Sequence, residues 1–185
     1  VSDRENPWDD RESPYTFIIM PSRSYVRITS GDLDRLSALA ALERADHFRR
    51  RTGTGRLYAD RLFAVALCQG AALHFIDGKN GVKDLDVWSF YVEHPARPFP
   101  YRRRATVDFG DAKFGTSDGR PDFVGRSVDL IGRSIKGADR TKPIETLRRY
   151  LRSGATESAR CLAKKAVVML DPPRLRGKVI WPERS

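Results

Sequence analysis

Two aspartates one residue apart, Asp84 and Asp86, sit at the head of the apolar run "LDVWSFYV". In an extended strand, residues i and i+2 project from the same face, so this spacing sets two carboxylates side by side. On a strand that otherwise buries hydrophobes, two like charges stay ionised only beside a cation, a basic partner or solvent. Asp129, in "VDLI", is a third carboxylate in the same kind of setting. If the two strands are neighbours, three acids converge on an oxygen-donor set that suits magnesium, which takes a few carboxylates and keeps water and phosphate oxygens in its other positions. Asp108, in "TVDFGD", is a rival third ligand because it also follows β-forming residues. The structural alternatives are an edge strand with incidental, solvated acids for the pair, and an ion pair with Arg126 or Arg133 for Asp129.

The charge balance points to an anionic partner. The 185 residues carry 34 Lys and Arg against 24 Asp and Glu, a formal charge of +10, which suits nucleic acid, a nucleotide or another phosphorylated ligand. Arg102, Arg103 and Arg104 form a run with Phe99 and Tyr101 close by to stack on bases, and Lys113 lies between two glycine-containing turns. These four basic residues are candidate phosphate or nucleic-acid contacts, although such runs more often form a hydrated face. Cys68 and Cys161 are isolated, without zinc-ligand spacing, and fit a reducing compartment. The longest apolar runs, 17–20 and 62–68, fall short of a membrane span. The expectation is a cytoplasmic protein with no membrane partner. No Ser/His/Asp or Cys/His set has a recognisable context. His74 and His94 read as packed or loop residues, and "DFG" lacks every other kinase signature.

The elements that must position the acids follow from periodicity. Residues 1–14 read as a flexible amino-terminal arm and 15–185 as one α/β (α+β) domain, a mixed sheet flanked by helices. "YTFIIM" and "YVRIT" predict a hairpin across "PSRS". Thr29 or Ser30 caps an amphipathic helix over 29–51. A helical start near residue 58 leads to a strand over 63–68, followed by a small-residue turn at Gly70-Ala71-Ala72 and a short helix "AALHFID". After the turn "GKNG", the run "VKDLDVWSFYV" alternates as a strand. Residues 94–126, rich in Pro, Gly and Arg, read as an irregular insertion. "GRSVDLIGRSI" is a further strand. Pro143 opens a helix that stops at Ser153-Gly154, and a second helix is predicted over 156–170, so that helices run through 143–170. The tail docks through Val179, Ile180 and Trp181.

A small-residue turn, then a hydrophobic-flanked Asp-x-Asp strand, then a third acid on a later strand resembles the polymerase-β-type nucleotidyltransferase superfamily. The resemblance covers about residues 63–135 and skips the insertion. Gly70-Ala71 stands where that family has Gly-Ser or Gly-Gly, Asp84 and Asp86 stand for its paired metal ligands, and "GRSVDLIG" resembles the strand bearing its third carboxylate, at Asp129. The resemblance implies a nucleotidyltransferase-like core, two magnesium ions held by Asp84, Asp86 and Asp129, and transfer of a nucleoside monophosphate from a nucleoside triphosphate to an unidentified acceptor, RNA among the candidates. Gly70, Ala71 and Lys83 would then meet the nucleotide. Ala71 replaces the serine whose hydroxyl commonly meets the terminal phosphates, leaving that role to Lys83, Lys79 or the arginines of the insertion. Two other functions share these residues: a catalytically inactive basic nucleic-acid-binding module, consistent with Ala71 and the charge, and a metal-dependent nuclease, for which Lys83 and Lys113 speak.

Overall fold

Six strands and four helices make up the chain as described by a computed structural model over residues 23–50, 53–97, 103–117 and 119–183. The strands are β1 (Leu62–Cys68), β2 (Leu85–Val92), β3 (Arg103–Asp108), β4 (Ser127–Ile135), β5 (Ala166–Asp171) and β6 (Val179–Trp181). They form one sheet in the order β3-β4-β2-β1-β5-β6. Only β2 and β4 run parallel; every other neighbouring pair is antiparallel. The helices are α1 (Ser30–Arg50), α2 (Gln69–Asp77), α3 (Pro143–Ser153) and α4 (Glu157–Ala163).

The sheet is covered on both faces, which explains why β1 reads as an unbroken apolar run. On one face α1 and α2 pack Leu33, Leu36, Ala71 and Ala72 against Val65, Leu67, Val87 and Leu130. On the other, α3 and α4 pack Leu147, Leu151, Ala159 and Leu162 against Ala64, Ala66, Phe90 and Met169. The strands thus alternate between two cores with the period of the pleat.

Local chemistry fixes the helix ends. The Asp32 carboxylate in the first turn of α1 accepts from the Thr29 amide at 2.6 Å and the Thr29 hydroxyl at 2.8 Å, holding the chain where it enters the helix. α3 starts with Pro143, whose missing N–H would have had no helical partner there, and ends at Gly154 with φ +55°. Burial of His74 is structural: its Nδ1 accepts from the Gly81 amide at 3.2 Å, so its Nε2 carries the proton and donates to the Val26 carbonyl at 3.1 Å.

Three expectations are corrected. Residues 25–29 form no strand; the β-pairing next to this segment is an isolated bridge, Ser24 to Val82. Tyr25 and Val26 are exposed while Ile28 drops into the core, so the alternation has no sheet to face. The expected partner strand at 15–20 lies outside the described residues, as does the arm 1–14. The helix expected over 156–170 stops at Ala163, and residues 166–171 are β5, between β1 and β6. Val167 to Leu170 are buried on both faces, where β-branched residues fit a pleated strand better than a helix. Finally, the stretch 94–126 is not wholly irregular, because β3 runs through it. β3 is the sheet's edge, a position that tolerates arginine. Among the described residues no helix is long and apolar enough to cross a membrane.

The loop between β3 and β4 is tied back to the sheet by Asp108. Its carboxylate accepts from the amides of Gly110 (2.8 Å), Val124 (2.7 Å) and Gly125 (2.9 Å). Burial raises its pKa somewhat, but these three amides and Arg35 outweigh that and hold the group below the usual carboxylate range. A side chain at Gly125 would run into the Asp111 backbone, so the loop ends meet closely. Asp108→Ala leaves three donors without acceptors and is expected to cost on the order of 2 kcal/mol. In thermal unfolding it lowers the midpoint, and in limited chymotryptic digestion it speeds cleavage after Phe123; an unchanged rate would show that the loop is held by other contacts.

Candidate functional site

The parallel register of β2 and β4 sets Asp86 opposite Asp129, and the antiparallel register of β3 and β4 sets Thr106 opposite Asp129 and Arg104 opposite Ile131. Residues opposite one another across neighbouring strands share a face. Arg104, Thr106, Asp129 and Asp86 therefore stand on the face that α3 and α4 cover elsewhere. Asp84 lies one residue ahead of β2. Two hollows open around this group. The outer one, about 550 Å³, reaches from Asp84 and Asp129 past Thr106 to Ser117 and Arg120. The inner one, about 440 Å³, reaches from Asp84 and Asp86 past Trp88 to Gly70 and Lys165. Lys83, Asp84 and Arg104 belong to both.

The two facing acids are compensated unequally. Asp129 is buried, pairs with the Arg104 guanidinium, and accepts from the Thr106 hydroxyl at 2.8 Å. Asp86 has neither partner. Burial, with the charges of Asp84 and Asp129 beside it, pushes its pKa up to about 7, while Arg104 and Lys165 pull the other way without prevailing. Arg104 is held protonated chiefly by its bond to Asp129. The hollows thus hold one acid that is ion-paired, Asp129, and one, Asp86, that keeps its proton up to about pH 7.

Of the sequence-derived candidates, Asp84, Asp86, Asp129, Gly70, Lys83 and Arg104 all line one or both hollows. Gly70, near the start of α2, has the Asn80 side-chain amide and Lys165 Nζ within 4 Å of where a Cβ would be. Ala71 does not share this position. Its side chain is buried in the core between the sheet and α1, because the first turn of α2 rotates it away from the hollow. Lys113 is also elsewhere: its ammonium lies 2.5 Å from the Asp32 carboxylate of α1 and over the Phe114 ring, on the opposite side of the sheet. Asp108 is engaged by its loop amides, which removes it as the rival third carboxylate. Arg103 lies in β3, its side chain outside the described residues, and Arg102 is outside them altogether. The ion-pair alternative for Asp129 is met by Arg104 rather than Arg126 or Arg133.

Arg23, Thr106, Ser117, Arg120 and Lys165 also line the hollows, unanticipated. Thr106 could have been found from the two-residue alternation with Arg104. Arg23 and Lys165 carry no local signal, since only the tertiary fold brings them in. Oxygen donors fit a hard divalent cation, and a cation beside Asp86 would favour its ionised form. Among the described residues, however, no group of three or more His, Cys, Asp or Glu side chains stands positioned to hold a metal ion. The cation now beside Asp129 is Arg104. Comparison of the chain with protein-family models, with curated proteins and with solved structures finds no match.

The raised pKa of Asp86 has a signed consequence. Between about pH 4 and pH 7 the unfolded chain has released this proton and the folded chain has not, so the group's contribution to stability falls as pH rises through that window. Asp86→Asn removes the titration. The variant is expected to gain on the order of a few kcal/mol over the wild type at pH 8, the advantage shrinking toward pH 4. Chemical denaturation across this range checks it; parallel stability curves would mean that Asp86 ionises normally.

Proposed function

We propose that this chain is a magnesium-dependent nucleotidyltransferase of the polymerase-β type, moving a nucleoside monophosphate from a nucleoside triphosphate to an acceptor hydroxyl. One observation carries the reading: Asp86 and Asp129 are paired across parallel strands, with Asp84 adjoining and Gly70 across the inner hollow. A solvated edge strand would give no reason for burying one acid and leaving its neighbour uncompensated.

Asp84, Asp86 and Asp129 are the residues that would hold magnesium. When bound, the ions would neutralise the phosphate chain and favour the deprotonated acceptor. The remaining work belongs to the chain. Arg23, Lys83 and Lys165 line the inner hollow as cations for the triphosphate, replacing the hydroxyl that Ala71 lacks. Gly70 lets the first amides of α2 approach phosphate oxygens, where the helix end favours negative charge. Gln69, held at φ +59°, sets the angle at which those amides enter. Asp129, oriented by Thr106, stands beside the position where the acceptor hydroxyl loses its proton. The acceptor oxygen bonds to the α-phosphorus, the bond to the bridging oxygen breaks, and pyrophosphate leaves. Preorganised charge and positioning supply the acceleration.

A second reading, a phosphate-binding module without transfer, is favoured by the Arg104–Asp129 pair, which fills one flank of the acid group. The nuclease reading loses Lys113, which is committed to Asp32. Incubation with labelled nucleoside triphosphates, magnesium and a panel of hydroxyl acceptors, RNA included, separates the three. Transfer is expected, reduced at least about 100-fold in Asp86→Asn, with magnesium and nucleotide together raising the wild-type melting temperature but not the variant's. Absence of transfer, with salt-dependent RNA binding that Asp84→Asn and Asp86→Asn leave intact, would replace this reading by the second. RNA cleavage without nucleoside triphosphate would replace it by the nuclease.

A further inference from the structure

Cations outnumber carboxylates in both hollows, but the outer one has Arg120, Ser117 and Ser127 where the inner one has Trp88. The outer hollow's cations are Lys83, Arg104, Arg120 and Arg126, against two carboxylates. Arg104 is committed to Asp129, and Arg126 donates to the Phe114 carbonyl. Arg120 has no carboxylate within ion-pair reach among the described residues; its guanidinium lies over the Phe123 ring, 5.4 Å from the ring centre, which steadies it at the rim. Ser117 Oγ already accepts from the Ser127 amide at 2.6 Å, so its own proton is left to donate. The Ser127 side chain lines the same wall. No aromatic ring lines this hollow among the described residues, so a base finds nothing to stack on, and a cationic acceptor meets an excess of like charge. The complementary ligand is a compact anion with several acceptor oxygens, and the volume suits one phosphorylated sugar-sized group.

We propose that the outer hollow is the acceptor subsite and that the acceptor enters it by a phosphomonoester, held by Arg120, Ser117 and Lys83. Its role as acceptor subsite rests on the transfer reading; its affinity for a phosphomonoester rests on this wall alone. Arg120 belongs to the outer hollow only, and Lys165 to the inner only, so substitutions there report on each separately.

The test is calorimetric titration of the full chain, in EDTA, with ribose 5-phosphate and with ribose. The phosphate is expected to bind and ribose not. Arg120→Gln weakens binding about 10-fold or more, Arg120→Lys recovers much of it, and Lys165→Gln changes it less than about threefold. Arg120 is exposed, and melting curves confirm that its variants fold. A 5′-phosphorylated trinucleotide compared with its 5′-hydroxyl counterpart distinguishes a terminal phosphate from a nucleic-acid backbone. Equal binding of the two, equal binding of ribose and its phosphate, indifference to Arg120→Gln, or loss through Lys165→Gln would each overturn the proposal. If phosphate binding behaves as expected but no nucleotide transfer occurs to any acceptor, the phosphate site stands and only its acceptor role falls.

Discussion

Two carboxylates at the same level of adjacent parallel strands repel one another across the spacing of a β-sheet, about 4.8 Å between strands. The register of β2 and β4 leaves no freedom to relieve this, because a one-residue slip would turn Val87 and Leu130 out of one core and Phe90 and Ile131 out of the other. Compensation is one-sided: Arg104 and Thr106, both from the edge strand β3, attend to Asp129, and Asp86 is left with a pKa near 7. A site that keeps its charge partly unsettled is one that an incoming cation or a phosphate-bound metal can stabilise.

The scaffold around the acids bears this cost because the rest of the sheet is buried on both sides. α1 and α2 fill one face, and α3 with α4 fill the other up to the level of Trp88 and Phe90. Around the acids, basic residues from distant parts of the chain, Arg23, Lys83, Arg120 and Lys165, line the hollows, with Cys161 of α4 on the inner one. Loop 109–126, tied down by Asp108 and filled by Phe109 and Phe114, gives the outer hollow its far wall. Stability is concentrated in the two cores and given up at the acids, the usual division between a scaffold and its working site.

Much of this was legible in residue order. The alternation through Asp84, Asp86 and Trp88 fixes a face, and "VDLI" identifies a second buried acid, so convergence follows once the strands are neighbours. What periodicity could not supply was adjacency: that β4 lies beside β2 is a tertiary fact. β5 is hidden because apolar residues at 159, 162, 163 and 166 match a helical stripe, and the valines at 167–168 that break it fit either element when both faces are buried. β3 was hidden by its arginines, since an edge strand needs only one apolar side. Ala71 and Lys113 were misplaced for a related reason. Proximity in sequence to a site residue or a glycine turn does not determine which way a side chain points, and one turns into the core while the other meets a helix on the far face.

The central claim is that Asp84, Asp86 and Asp129 together receive a divalent cation. Anomalous diffraction from crystals grown with manganese and a non-hydrolysable nucleoside triphosphate analogue tests it most directly. The account predicts an anomalous peak within bonding distance of Asp86 and at least one of the other two carboxylates, with Arg104 swung away from Asp129. Crystals that contain the nucleotide analogue but show no such peak, with Arg104 still seated on Asp129, would contradict it.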